Sequence, residues 1–449
     1  MLSQLVTRAG ILKKPSIYFV RVTHWHIRTW TTYTQTTDAL TIHSLNNTSF
    51  PYIWLRDSCP SSKCIHQNSK QKLHRSSDIP LAIAPIGKGV KVTRDGIDIV
   101  WNDGHKSSFD QAFLERHASA SKLAEWHLDH HLREETWTHR SISNLSTLFI
   151  PYNNIINTSS GLVQAITQLS KYGLLFISGV PNQETSHDTC ELRTLAERFG
   201  EIRTTFYGPV WDVVNGNNDG KNIAYTNLEL GLHMDLLYVF SFLFLFVLPS
   251  MTNFQIYRYF QHPPRYQILH CLRNHVIGGT SMFVDALYVA RKLRESHPEE
   301  FDILTKTPVA FHYIVDGHHL HHEHPTIELA PPFIPSSSEP QISHINYSPP
   351  FQAPLPLNTP IKFYPALARF AELLNDPMNT YEYTLREGDA VMFDNRRVLH
   401  ARTAFRDKPG VEMKRGEINR WLKGCYLEAD ALVDRVRVMK AKLDKEPLD

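Results

Sequence analysis

Between Leu40 and Phe109 short apolar runs of strand type alternate with turn-forming residues: Tyr52-Ile-Trp-Leu55, Leu81-Ala-Ile83, Gly89-Val-Lys-Val-Thr93 and Ile97-Asp-Ile-Val-Trp101. Such spacing predicts a small β-rich module. Helical character over Gln111 to Arg133 predicts a connection to a larger domain, with helices near Gly161–Lys171 and Asp188–Phe199. Later strands are interrupted by Pro-rich loops at Pro331–Pro340 and Ser348–Pro356, and helical periodicity returns at Ile361–Leu374 and Glu428–Lys442. The boundaries expected are 1–37 for a tail, 38–133 for the β-rich domain and 134–449 for the larger one.

One stretch breaks the pattern. Leu236 to Leu248 reads LLYVFSFLFLFVL, whose single polar residue is Ser241. It is too short to span a bilayer, which takes about 20 residues. Exposed, it would be an aggregation hazard.

Composition narrows the class. The 449 residues carry 47 Lys+Arg against 45 Asp+Glu, so no broad basic face is available for nucleic acid. Five cysteines (Cys59, Cys64, Cys190, Cys271, Cys425) are too scattered for a disulfide framework, which points to a reducing, intracellular compartment. Residues 1–37 carry Arg8, Lys13, Lys14, Arg21 and Arg28 among many Ser and Thr, with no acidic residue before Asp38. That composition fits a mitochondrial transit peptide, or alternatively a basic tail on a cytoplasmic protein.

The chemistry centres on Gly231-Leu-His-Met-Asp235 and Phe393-Asp-Asn-Arg-Arg-Val-Leu-His400. On a strand, positions two apart share a face, so His233 and Asp235 can grip one ion. A distant histidine, His400, would complete two imidazoles and a carboxylate, the ligand set that leaves three positions open on non-heme Fe(II). Cys59, Cys64 and His105 are ligand types for structural Zn(II), although Ser61 stands where a fourth ligand would fit. Free thiols are the plainer reading. Arg420 on an alternating stretch suits either a dicarboxylate or an ordinary ion pair. Tyr207, Trp211, Tyr225 and Tyr426 suit a core, or a cage of π faces around a quaternary ammonium. The cluster His318, His319, His321, His322 and His324, flanked by Pro325, is read as a polar hairpin beside the active-site mouth.

The motifs WLRDSC, TFYGPVW, IAYT, GLHMD, ILHCLRNHVIGGTSMFVDA, FDNRRVLHAR and INRWLKGCYLEADALVDRVR together resemble the γ-butyrobetaine/trimethyllysine hydroxylase family of Fe(II)/2-oxoglutarate dioxygenases, from about Ile53 to Arg437. The resemblance implies a mainly β fold with flanking helices: a double-stranded β-helix (jelly-roll) catalytic domain behind a small N-terminal zinc domain, often as a homodimer. It implies Fe(II) on His233, Asp235 and His400, and the 2-oxoglutarate carboxylate on Arg420. Tyr207, Trp211, Tyr225 and Tyr426 would form the trimethylammonium cage, and Cys59, Cys64 and His105 would hold zinc, with His66 as a substitute for the missing thiolate. O2 is the second co-substrate, with ascorbate as an auxiliary reductant. Arg396 stands where the family commonly has Trp. Asn222, a neutral amide where trimethyllysine enzymes tend to be acidic, favours γ-butyrobetaine, hence carnitine formation; trimethyllysine is the alternative. In the family pattern HMDLLY runs almost directly into FQHPPRYQILHC, whereas here the twenty-one residues Val239 to Tyr259 intervene. The segment is expected to be a translated short intron. A genuine insertion would instead point to an inactive β-helix protein.

Overall fold

The computed structural model describes residues 32–93, 95–127, 133–214, 223–237, 263–315, 317–330, 340–408 and 418–443. The apolar segment 239–259 and the basic N-terminus up to residue 31 lie outside the described residues. The chain divides into two compact units, Met1–Trp126 and His127–Asp449.

The first unit opens with antiparallel strands Tyr33–Gln35, Ala39–Ile42 and Thr48–Pro51. Tyr33 pairs with Ile42, so strand pairing already begins within the stretch 32–37. Tyr52-Ile-Trp-Leu55, expected as a strand, is the start of an α-helix, Tyr52–Asp57. Tyr52 and Leu55, three apart, are the two residues it buries, which is helical spacing rather than alternation. Leu81–Ile83 is a turn, not a strand. A second sheet, Pro85–Val92, Gly96–Trp101 and Lys106–Asp110, alternates inward Ile97, Ile99, Trp101 and Phe109 with outward polar residues. Helices Gln111–His117 and Ala120–Trp126 follow, the first capped by Asp110.

The second unit is built on two sheets. The larger runs in the order Trp211–Val214, Arg420–Leu427, Tyr266–Asn274, Ala390–Asp394, Leu174–Ser178, Phe149–Pro151, with Ile202–Arg203 also on the Arg420 strand. The smaller runs Leu230–His233, Val398–Arg402, Ser281–Asp285, Thr380–Tyr383. Aromatic contacts join them: Phe283 of the small sheet meets Phe176 at 5.6 Å and Phe393 at 5.7 Å, both from the large one. Pairing is antiparallel except between Phe149–Pro151 and Leu174–Ser178, giving a jelly roll with one open mouth. Helices Ser159–Tyr172, Glu191–Phe199 and Ala429–Leu443 flank the large sheet and bury Leu162, Ile166, Leu169, Leu195 and Leu432. A buried ion pair, Arg397 to Asp285 at 2.8 Å, ties the strand of His400 to the Ser281–Asp285 strand beside it. Among the described residues no helix is long and apolar enough to cross a membrane, and all five cysteines are free and buried.

Candidate active site

Strand register brings the two histidines together. His233 pairs directly with His400, and their rings lie 4.1 Å apart. Asp235 is not on the strand as expected: the strand ends at His233, and the carboxylate sits on a turn just beyond, before Leu236 at φ 63°. A bulky residue in that left-handed region needs support, and Leu236 and Leu237 obtain it by being fully buried. Tertiary clamps, rather than strand periodicity, hold the carboxylate. The Asp235 N–H donates to Asn395 Oδ1 at 2.9 Å, and Asn395 Nδ2 donates back to the Asp235 carbonyl at 3.0 Å. The Tyr426 hydroxyl donates to Asp235 Oδ2 at 2.8 Å.

The donor atoms of His233, Asp235 and His400 all lie within 4.8 Å of one another. His233 Nδ1 lies 2.9 Å from the Gly231 carbonyl; since a carbonyl only accepts, Nδ1 carries a proton and turns Nε2 toward Asp235 Oδ1, 3.5 Å away. Burial, then the neighbouring His233, pushes His400 down to about 3 and keeps it neutral. Burial alone would raise the Asp235 carboxyl, but the polar groups around it, the two imidazoles and the Tyr426 hydroxyl, hold it well below the usual carboxylate range. A carboxylate and two imidazoles are donor types that a divalent metal takes, and this mixed O/N set with open positions fits Fe(II).

These residues line an open cavity that is also lined by Arg420, Tyr207, Trp211, Tyr225 and Tyr426. Arg420 is buried, its guanidinium 5.3 Å over the Phe405 ring, and burial pushes its pKa down to about 10. It has no carboxylate partner among the described residues. Gly279, at φ 70°, lets the chain pass close to it: a Cβ there would sit 3.1 Å from Arg420 Nε. Trp211 stacks on Tyr426 at 4.3 Å and 24°, with Tyr207 6.1 Å away. Trp211 can lie flat because its strand partner is Gly424, where a Cβ would meet the indole at 2.7 Å. Asn222 lies outside the described residues. Asn395 and Gly424 were not singled out from sequence; their place inside FDNRRVLH and KGCY is the one signal that pointed at them.

In the first unit Cys59, Cys64 and His105 also converge. The sulfurs lie 3.2 and 3.4 Å from His105 Nε2, and the Ser61 hydroxyl is 3.3 Å from Cys59 Sγ. His66 does not join them; its Nδ1 pairs with Ser69 at 2.8 Å. The histidine-rich run is a strand, His318–Pro325, forming a hairpin with Pro308–Val315. His318 packs 4.8 Å from Phe206, the neighbour of Tyr207, which places the hairpin beside the cavity. Glu323 does stand two residues from His321, at 3.9 Å, yet no three donors of the hairpin converge among the described residues. Arg396 is turned away from the cavity, donating through Nε to the Pro263 carbonyl at 2.8 Å and facing His344 at 3.1 Å.

A jelly roll with two imidazoles and a carboxylate at its mouth defines a non-heme iron oxygenase. The family described as "Taurine catabolism dioxygenase TauD, TfdA family" matches residues 257–426, and "Gamma-butyrobetaine hydroxylase-like, N-terminal" matches 32–115. Dioxygenase str8 of Strobilurus tenacellus is 48% identical over 409 residues, 91% of this chain and 89% of that protein. The γ-butyrobetaine dioxygenase of Homo sapiens is 28% identical, covering 88% of this chain and 92% of that protein. The mitochondrial trimethyllysine dioxygenase of Homo sapiens is 26% identical, covering 87% and 82%. The chain belongs to the TauD/TfdA family of Fe(II)- and 2-oxoglutarate-dependent dioxygenases, in its γ-butyrobetaine hydroxylase-like branch. The TauD match begins at residue 257, so His233 and Asp235 lie ahead of it while His400 and Arg420 lie within.

Proposed function

We propose that this dioxygenase hydroxylates γ-butyrobetaine to carnitine. One observation carries the reading: the aromatic residues Tyr207, Trp211, Tyr225 and Tyr426 line the same cavity as the three iron-type ligands. Ring faces attract a trimethylammonium group without needing any hydrogen-bond donor from it. Asp235 is the one carboxylate among the described lining residues. A substrate with an additional α-ammonium, trimethyllysine, would have no acidic partner there, which favours the simpler betaine.

In this reading His233, Asp235 and His400 hold Fe(II), and Arg420 takes the distal carboxylate of 2-oxoglutarate in a charge-assisted pair within a low-dielectric pocket. Bound iron supplies the activation of O2: one oxygen atom enters the substrate C–H bond, and the other enters succinate as 2-oxoglutarate loses CO2. The protein's share is placement. The Tyr426 hydroxyl orients Asp235 at one end, while the stacked Trp211–Tyr426 pair presents a wall that fixes the cationic end of the substrate. Zinc on Cys59, Cys64 and His105 would staple the N-terminal unit, with an oxygen ligand at the fourth corner.

A second reading, a non-betaine substrate on the same iron centre, draws on the higher identity to dioxygenase str8, 48% against 28%. The test is 2-oxoglutarate-dependent succinate release with γ-butyrobetaine, with trimethyllysine and with neither, in chains with and without residues 239–259. Carnitine formation supports the first reading. Succinate release that neither betaine stimulates sinks it in favour of the second. Activity confined to the shortened chain supports the intron origin of the segment, and detection of that segment in mature mRNA and as a peptide overturns it.

A further inference from the structure

The strand that carries His400 ends in a second buried arginine, Arg402, two residues on and therefore on the same face. Its guanidinium lies 4.9 Å from the centre of the Phe405 ring, which Arg420 also approaches, at 5.3 Å, and both arginines line the cavity. They are committed differently. Arg420 has no hydrogen bond or ion pair among the described residues, so its fork is available to a carboxylate. Arg402 spends its terminal nitrogens on main-chain carbonyls: Nη1 donates to Ala224 O at 3.0 Å, and Nη2 donates to Thr226 O at 2.8 Å and Leu228 O at 2.6 Å.

Those three carbonyls belong to one segment. It starts with the single 3-10 turn Ile223–Tyr225, closed by the Thr226 N–H on the Ile223 carbonyl, and runs into the Leu230–His233 strand. The carbonyls at the end of such a turn have no partners within it, and a cation is the group that satisfies them best. The segment is also anchored by the Phe405 N–H, which donates to the Asn227 carbonyl at 3.1 Å from the element that Arg402 leads into. The register also departs from regular pairing here. Leu230 faces Arg402 and His233 faces His400, so three steps on one strand answer two on the other. That bulge turns the chain before Leu230 back over the arginine.

We propose that Arg402 is a positioning residue, fixing the loop that carries Tyr225 to the strand that carries the metal ligand His400, and so setting the distance between the substrate's cationic end and the reacting centre. The proposal rests on the reading of Tyr225 as part of the substrate wall. The grip is on the main chain, so it depends on the arginine and on the course of the backbone rather than on the side chains at 224 and 228. Lysine is a poor replacement, since a single ammonium cannot reproduce a planar fork that spans three acceptors.

The experiment uses the full-length enzyme with Arg402→Lys, Arg402→Met, Tyr225→Ala and the double variants. Arg402→Lys should raise the KM for γ-butyrobetaine roughly tenfold, and raise the share of 2-oxoglutarate consumed without hydroxylation. The KM for 2-oxoglutarate and the Fe(II) content should stay within about twofold of the parent. On the Tyr225→Ala background the effect of Arg402→Lys on KM should vanish, because both act through one contact. A rise in the 2-oxoglutarate KM instead would make Arg402 a co-substrate ligand and overturn the proposal, as would additive effects of the two substitutions. If γ-butyrobetaine is not turned over by the parent enzyme, the substrate reading has failed, and hydrogen exchange decides this proposal separately. Faster exchange over 223–229 with 398–402 still protected supports it, and unchanged exchange overturns it. Should Arg402→Met fail to fold, the lysine variant carries the same measurements.

Discussion

The catalytic unit and the N-terminal unit each gather three metal-type donors, and they support them in different ways. Around His233, Asp235 and His400 two of the three donors are held by hydrogen bonds and the third by strand register: the Gly231 carbonyl sets the His233 imidazole, Tyr426 holds the carboxylate with Asn395 clamping the turn beneath it, and His400 is placed by its pairing with His233. Around Cys59, Cys64 and His105 the support is thinner and closer to the surface. Asp103 Oδ1 accepts the His105 main-chain N–H at 2.9 Å, its Oδ2 pairs with Arg56 at 2.9 Å, and Arg56 Nη1 lies 3.6 Å from Cys64 Sγ. The first arrangement places hard donors on one side of an ion and leaves the other side for reactants. The second places soft donors around a point that a small module can close upon. In the proposed reading one would be a working surface and the other a rivet. The contrast predicts that damage to each will be read in a different measurement.

Asp235→Ala should break the contrast most severely, removing iron and taking 2-oxoglutarate turnover below detection while the melting of the N-terminal unit is unchanged; retained turnover would refute the ligand assignment. Asn395→Ala leaves all three donors in place but frees the turn, so iron affinity or turnover should fall about 10–100-fold, the usual cost of losing an outer-shell partner, as read by Fe(II) titration. Gly424→Ala drives a methyl into the Trp211 indole and should raise the γ-butyrobetaine KM roughly tenfold with little change in iron binding. The smallest effect on turnover is expected from Cys59→Ser. Turnover per bound iron should hold, while zinc is lost by elemental assay and the N-terminal unit melts about 10 °C lower, as expected for a loss of about 2 kcal/mol in a domain of that size.

Much of this was legible from residue type and spacing. His233, His400 and Arg420 stand out because the chemistry tolerates few alternatives, and the jelly roll followed from the family those motifs resemble. What escaped notice depends on neighbours that are remote in sequence. Asp235 sits on a turn whose support comes from Asn395, 160 positions away, which no local period reports. Gly424 matters through the indole laid across it, and Arg402 through three carbonyls more than 170 positions earlier. Tyr52–Asp57 was misread as a strand because its aromatic and branched residues favour strands, whereas burial at a spacing of three decided for a helix.

The Asn395 clamp reaches further than the metal. The same Nδ2 that donates to Asp235 donates to the Pro264 carbonyl at 3.2 Å, its N–H donates to Arg265 O at 2.7 Å, and adjacent Arg396 grips Pro263. Asp235 and the stretch Pro263 to Arg265, on the two sides of the apolar segment in sequence, are therefore held at one spot on the barrel wall. Loop closure between fixed ends costs free energy only as the logarithm of length. If that clamp alone sets the carboxylate, changes of length between Leu237 and Pro263 should leave it in place, which Fe(II) titration of the chains with and without residues 239–259 checks. That point of the chain would then be a natural docking port, where a reporter peptide or a recognition tag could be grafted beside the reaction without redesigning the barrel.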